Sequence, residues 1–119
     1  MTATIADGLV ALVALEHVWF LVLEMFLWTR PIGLETFRQS EEQAKGSAAL
    51  AANQGLYNGF LAAGLVWGLV LGSFSVKVFF LACVVVAGVF GAATVSRRVL
   101  MVQALPAAVA LFLLWVSRG

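Results

Sequence analysis

Long apolar stretches alternate with short polar ones along the chain, and this pattern predicts four membrane-spanning helices. Each apolar stretch approaches or exceeds the roughly 17–25 residues that an α-helix needs to cross a bilayer. We place the spans at residues 5–28, 48–71, 76–95 and 99–116, with a charged link at 29–47. The later links are short, so neighbouring helices must run antiparallel. The predicted fold is all-α, a four-transmembrane-helix antiparallel bundle.

The composition agrees with one integral membrane domain over residues 1–119. Apolar residues make up 63% of the chain and charged residues 11%, against about 45–50% and 25% in soluble domains. The lipid bilayer is therefore the expected surrounding. A net charge of +1 provides no basic field, which excludes nucleic acid as a partner. The single cysteine, Cys83, lies in an apolar run and is read as a packing residue.

The charged link is expected to contain structure of its own. Pro31 and Gly33 are predicted to end the first helix. The stretch "LETFRQSEEQAK" at residues 34–45 is predicted to form a short helix on the membrane surface. Its charges are mixed in sign, which fits either a solvated connector or a lid over the space between the helices.

Small residues in the second span predict close helix packing. They form two ridges with four-residue spacing, a pattern typical of helix interfaces in membranes. The ridges are Gly55, Gly59 and Ala63, and Gly64, Gly68 and Gly72. Two such faces suit a central position for this span in the bundle, and they also offer a surface for a homodimer.

Three ionisable side chains interrupt the first span. Glu16, His17 and Glu24 fall on one side of the helix at about 100° per residue, and Glu24 lies about 11 Å nearer the end of the span. Charged groups inside spans are rare, usually face the protein interior and usually have partners. This side of the helix is therefore predicted to face other helices or a wet cavity.

The second span carries the expected partners of these groups. Tyr57 and Asn58 are predicted to lie level with the pair formed by Glu16 and His17, from the rise of about 1.5 Å per residue. By the same measure, two more amide side chains in this span should lie level with Glu24. These are Asn53 and Gln54.

The fourth span adds Gln103, three residues before Pro106, whose missing N–H leaves an upstream carbonyl unpaired. The polar groups of spans one, two and four are thus predicted to form a column that is open, if anywhere, toward the cytoplasm. The amides would serve equally well as structural hydrogen-bonding groups between helices. Two acids and an imidazole favour a binding or proton-exchange site, since structural contacts need only amides.

The segments "LEHVWFLVLEMFLW" and "NQGLYNGFLAAGL", together with the four-span length, resemble the bacterial membrane-protein family catalogued as domain of unknown function 1304. The resemblance covers nearly the whole chain. It rests on the Glu-His pair, the second Glu and the Asn-Gln-Gly-x-Tyr-Asn run. It implies a small four-helix protein of the bacterial inner membrane, and it carries over no catalytic residues.

Three classes of function fit these residues. The leading hypothesis is a binding or transport protein for a proton, a cation or a small cationic or apolar solute, acting at Glu16, His17 and Glu24 beside the amides. The alternatives are an acid/base, isomerase-like enzyme acting on a lipid or other apolar substrate, and a structural partner in a larger membrane complex. The chain has no phosphate-binding loop, nucleophile triad or metal pair, so no cofactor and no metal site are predicted.

The first testable prediction concerns orientation. Basic residues near span ends stay on the cytoplasmic side. The side with the first and third links holds most of them, namely Arg30, Arg38, Lys45, Arg97 and Arg98. The link 29–47 should therefore be cytoplasmic and both termini outside. A cysteine at Ser40 should resist an impermeant thiol label applied to intact cells, whereas one at Thr2 should react; the opposite pattern would reverse the orientation.

Overall fold

The computed structural model describes residues 2–94 and 97–118, and these residues form helices and turns without a strand. Four helical stretches are long and apolar enough to cross a membrane: Thr2–Met25, Glu41–Leu71, Phe74–Thr94 and Met101–Arg118. The all-α fold class is therefore confirmed. Val95, the predicted end of the third span, and Ser96, in the following turn, lie outside the described residues.

We number the helices in chain order. The helices are α1 (Thr2–Met25), α2 (Pro31–Phe37), α3 (Glu41–Leu71), α4 (Phe74–Thr94), α5 (Arg97–Val99) and α6 (Leu105–Arg118). A π-helical segment, Leu100–Ala104, joins α5 to α6. In this segment the backbone hydrogen bonds span five residues instead of four. The segment comes just before Pro106, whose missing N–H would break the regular helical pattern at this place.

The structure corrects the prediction for the first link. Pro31 does not end a helix; it begins α2, because a missing N–H costs nothing in the first turn. The predicted helix over 34–45 is interrupted at Arg38, whose φ is 52°. Ser40 and Gln43 then form a capping box in which each side chain accepts a hydrogen bond from the other's backbone N–H. This motif starts α3 at Glu41, seven residues before the predicted span.

The turn between α3 and α4 has clear local causes. Gly72 adopts a φ of 64°, and the N–H of Ser73 donates to the carbonyl of Gly68, an arrangement that closes a helix end. The Ser73 hydroxyl then accepts a hydrogen bond from the N–H of Val76 at 3.2 Å. Helices α3 and α4 therefore pair directly as antiparallel neighbours.

The chain divides into two compact units. The first takes in the chain up to Ala14 and from Leu61 onward, and the second is Leu15–Phe60. All four long helices contribute to the core of the first unit. Its buried side chains are Ala6, Val10, Val13, Ala14, Leu65, Leu81, Val84, Ala107, Ala110 and Leu114.

Glycines allow close helix approach within the first unit. A Cβ added to Gly64 would collide with the ring of Phe80, and one added to Gly88 would lie 2.6 Å from the Cβ of Ala104. A Cβ at Gly68 would lie 2.9 Å from the Cγ of Lys77. The second predicted ridge of α3 therefore packs against α4 of the same chain at Gly64 and Gly68.

The second unit pairs the end of α1 with the first half of α3. A Cβ at Gly55 would lie 2.7 Å from Met25, and one at Gly59 would lie 2.7 Å from Leu21. Both predicted ridges are therefore largely occupied by helices of the same chain. The homodimer through these ridges stays a prediction.

A partly buried ion pair joins α1 to α4 in the first unit. The ammonium of Lys77 donates to Asp7 at 2.7 Å, and Lys77 is 7% exposed. Its side chain covers Gly68, which has no side chain to obstruct it. The sequence pattern had indicated no partner for Lys77, because Asp7 and Lys77 are 70 residues apart.

The second testable prediction concerns this pair. Asp7→Asn should lower the free energy of unfolding in detergent by about 1–3 kcal/mol, between the values for exposed and buried ion pairs, because Lys77 loses its counter-charge. Adding Lys77→Met should recover most of the loss. Glu41→Gln, which breaks the exposed Lys45–Glu41 pair, is the matched control and should change little. Equal stability of Asp7→Asn and the parent would refute a structural role.

Candidate functional site

The ionisable groups of α1 differ in burial. His17 is fully buried at 0% exposure. It lies seven residues from Val10 and from Glu24, so these three side chains share the inward face of the helix. Glu16 precedes His17 on an adjacent face and is partly buried. The predicted inward orientation of His17 is thus confirmed by its burial.

Glu16 contains the least satisfied polar atom of the site. Its Oε1 is buried and has no hydrogen-bonding partner among the described residues. A buried polar group without a partner costs about 1–3 kcal/mol, and more when it carries a charge. This carboxyl group is therefore available to a proton or to a ligand that donates a hydrogen bond.

Glu24 has a partner on α3. The side-chain N–H of Asn58 donates to its Oε1 at 2.5 Å, and Asn58 is itself 5% exposed. Asn58 was predicted to lie at the same depth in the membrane as Glu16 and His17, and that prediction is wrong. The structure brings Asn58 to Glu24 instead.

The difference between the predicted and the observed partner of Asn58 follows from the packing of α1 against α3. Gly55 faces Met25 and Glu24, and Gly59 faces Leu21. These close contacts set the alignment of the two helices, which predicted span boundaries cannot specify to within a turn. The prediction had placed Glu24 beside Asn53 and Gln54, a full helical turn away from the observed partner.

The other predicted site residues of α3 are exposed. Asn53 and Gln54 are exposed. Tyr57 is 51% exposed, and its ring packs near Phe60 at 6.1 Å between centroids. Exposure alone does not test whether these three side chains belong to the site, and their membership stays a prediction.

Gln103 belongs to the first unit, whereas the other predicted site residues belong to the second. It lies in the π-helical segment and is partly buried. The membership of the predicted site as a whole stays a prediction. Glu24 and Asn58 are brought together directly, and Glu16 and His17 are adjacent in sequence.

Within the second unit, the charged link packs against the residues that follow α1. The indole N–H of Trp28 donates to the hydroxyl of Ser47 at 3.1 Å, and the Trp28 ring contacts Phe37 of α2 at 4.7 Å between centroids. Gly33 is buried against the backbone carbonyls of Leu27 and Trp28. Specific contacts thus hold helix α2 in place. The residue pattern of the link did not indicate these contacts.

Two surface grooves of the first unit are apolar and contain none of the predicted site residues. One, of about 480 Å³, follows a single face of α4 between Phe79 and Phe90 and includes Cys83. The other, of about 270 Å³, lies between α4 and the π-helical segment with α6. In the described part of the chain, no three His, Cys, Asp or Glu side chains are grouped as a metal site would require.

Comparison with known proteins identifies the family. The model of a family described as "Protein of unknown function (DUF1304)" matches residues 11–115. This chain belongs to that family. The resemblance given by the Glu-His pair and the Asn-Gln-Gly-x-Tyr-Asn run is thus confirmed.

A curated relative supports the same assignment. The chain is 27% identical over 96 residues to "Uncharacterized protein YpaA" of Lactococcus lactis subsp. lactis (strain IL1403), an alignment that covers 77% of this chain and 81% of that protein. No solved structure matches the chain. The comparisons therefore establish the family and leave the activity to be argued from the residues.

The third testable prediction concerns the Glu24–Asn58 contact. Asn58→Leu should lower the free energy of unfolding in detergent by about 1–3 kcal/mol, because it leaves the carboxyl group of Glu24 without its donor. Glu24→Gln keeps an oxygen that can accept the hydrogen bond and should cost less. Thermal unfolding of both variants measures the difference. A larger loss for Glu24→Gln would mean that the charge of Glu24, and not its hydrogen bond, stabilises the helix pair.

Proposed function

We propose that this protein binds a proton or a small cationic solute at Glu16, with His17 and Glu24 on the same helix, and transfers it across the bacterial inner membrane. In the proposed orientation, both termini lie outside and the link 29–47 lies in the cytoplasm. The four apolar helices support an integral membrane protein. The bacterial relative supports a bacterial membrane as its location.

The unpartnered Oε1 of Glu16 carries this proposal. A carboxylate inside a span is costly, and such groups usually have partners or exchange ions. Of the six acidic residues in the chain, Glu16 is the one with a buried side-chain oxygen that lacks a partner in the described ranges. A bound proton or cation would satisfy this atom, and its release would leave the group ready for another cycle.

The two acids of α1 are suited to different roles. Glu24 already accepts a hydrogen bond from Asn58, so its contact stabilises the pairing of α1 with α3. Glu16 has no such fixed donor at Oε1. His17 is adjacent and fully buried, and an imidazole can pass a proton to or from a neighbouring group. We therefore assign exchange to Glu16 and His17, and a structural role to Glu24.

The fourth testable prediction uses Glu16→Gln, which keeps the volume and an acceptor oxygen while removing the exchangeable proton. The purified protein is reconstituted in phosphatidylethanolamine–phosphatidylglycerol vesicles that contain a pH-sensitive dye. Proton movement is followed under an imposed potential, alone and with tetraphenylphosphonium or ethidium added. We expect at least a tenfold lower flux for the variant and nearly unchanged thermal stability.

The control is Glu35→Gln, which changes an exposed acid of α2 and should leave the flux at the parental level. Dicyclohexylcarbodiimide gives a second measurement, since it modifies protonated carboxyl groups in apolar surroundings. It should label the parent and Glu35→Gln, and labelling should fall in Glu16→Gln. Equal fluxes for all three proteins, or unfolding of Glu16→Gln, would refute an exchange role and favour a structural one.

A further inference from the structure

A polar face of α3 points away from the helices that pack within its unit. Leu50, Asn53, Gln54 and Tyr57 lie three or four residues apart and therefore share one side of the helix. We call them the amide face. Leu50 is 76% exposed and Tyr57 is 51% exposed, and both amides are exposed. The buried side of α3 contains Ala51, Gly55 and Asn58, and Gln54 lies at its border because it is four residues from Asn58.

The contact between Trp28 and Ser47 indicates how deep this face lies. Tryptophan at the end of a span is typical of the membrane–water interface. The Trp28 indole N–H donates a hydrogen bond to Ser47, so Ser47 lies near the same interface. From Ser47, the rise along α3 places Asn53 about 9 Å deeper and Tyr57 about 15 Å deeper. The amide face therefore extends from the interface into the hydrocarbon region.

Lipid tails cannot satisfy the polar groups at this depth. The side chains of Asn53, Gln54 and Tyr57 make no hydrogen bond within the described residues. Hydrocarbon provides neither donors nor acceptors, so polar groups facing it carry a desolvation cost. In membranes, Asn and Gln side chains commonly offset this cost by bonding to a neighbouring helix.

The chemistry of the amide face fits a second copy of itself. Each amide has both donors and an acceptor, and the tyrosine hydroxyl can donate and accept. A two-fold axis would bring identical sets together, so that the donors of one copy can face the acceptors of the other. The face has no Lys or Arg that would select a lipid phosphate. We propose that this protein forms a homodimer through the amide face of α3, a surface distinct from the glycine ridges.

The dimer can be tested independently of transport. In a Cys83→Ser background, which removes the only cysteine, Leu50→Cys is oxidised in membranes with copper phenanthroline. The matched control is Phe79→Cys on α4, which is 62% exposed and lies outside the amide face. We expect disulfide-linked dimers for Leu50→Cys and none for Phe79→Cys. Single-molecule photobleaching of labelled protein in dilute vesicles should show two steps.

Two double variants test the amides themselves. Asn53→Leu with Gln54→Leu should weaken dimerisation by about tenfold or more, from the loss of several interhelical hydrogen bonds. Asn53→Gln with Gln54→Asn keeps an amide at each position and should remain mostly dimeric. Helical content and thermal unfolding show that both variants fold. Single-step bleaching of the parent, an unchanged dimer in the leucine variant, or a Leu50→Cys adduct with a different protein would each overturn the proposal.

Discussion

Hydrocarbon offers no hydrogen-bonding partner, and each polar side chain inside a span has to find one within the protein or bring one in. This constraint organises the polar contacts of the chain. Lys77 is buried and paired with Asp7, and Glu24 accepts a hydrogen bond from Asn58. Each contact joins two helices that are remote in sequence. These polar contacts thus each fix one pair of helices in a fold whose spans are mostly apolar.

Close helix packing makes these contacts possible. Gly55 and Gly59 allow α3 to approach the end of α1, and this approach brings Asn58 within reach of Glu24. Gly68 likewise leaves room for the Lys77 side chain. Small residues that contribute little apolar area therefore decide which polar groups meet. In a membrane this matters more than area, because lipid is as apolar as the helix surface and burial alone does not drive association.

Glu16 departs from this pattern of satisfied groups. Its carboxyl group has a buried oxygen without a partner in the described ranges, although Glu24 on the same helix is satisfied. Two acids with such different surroundings are suited to different tasks. An acid with a hydrogen-bonding partner stabilises the fold, and an acid without one can take up a proton or bind a ligand. This contrast supports assigning exchange to Glu16 and structure to Glu24.

The sequence by itself determined the number of spanning helices, the fold class and the family resemblance, because hydropathy and residue runs are local properties. The pattern "SEEQ" also contained the signal for the start of α3, the capping box of Ser40 and Gln43. Only the tertiary structure decided that Asn58 meets Glu24, that Asn53 and Gln54 face outward, and that Lys77 pairs with Asp7. Those outcomes depend on the rotation and alignment of each helix against its neighbours. Close contacts at a few glycines set this alignment, and the spacing of residues along one chain does not encode it.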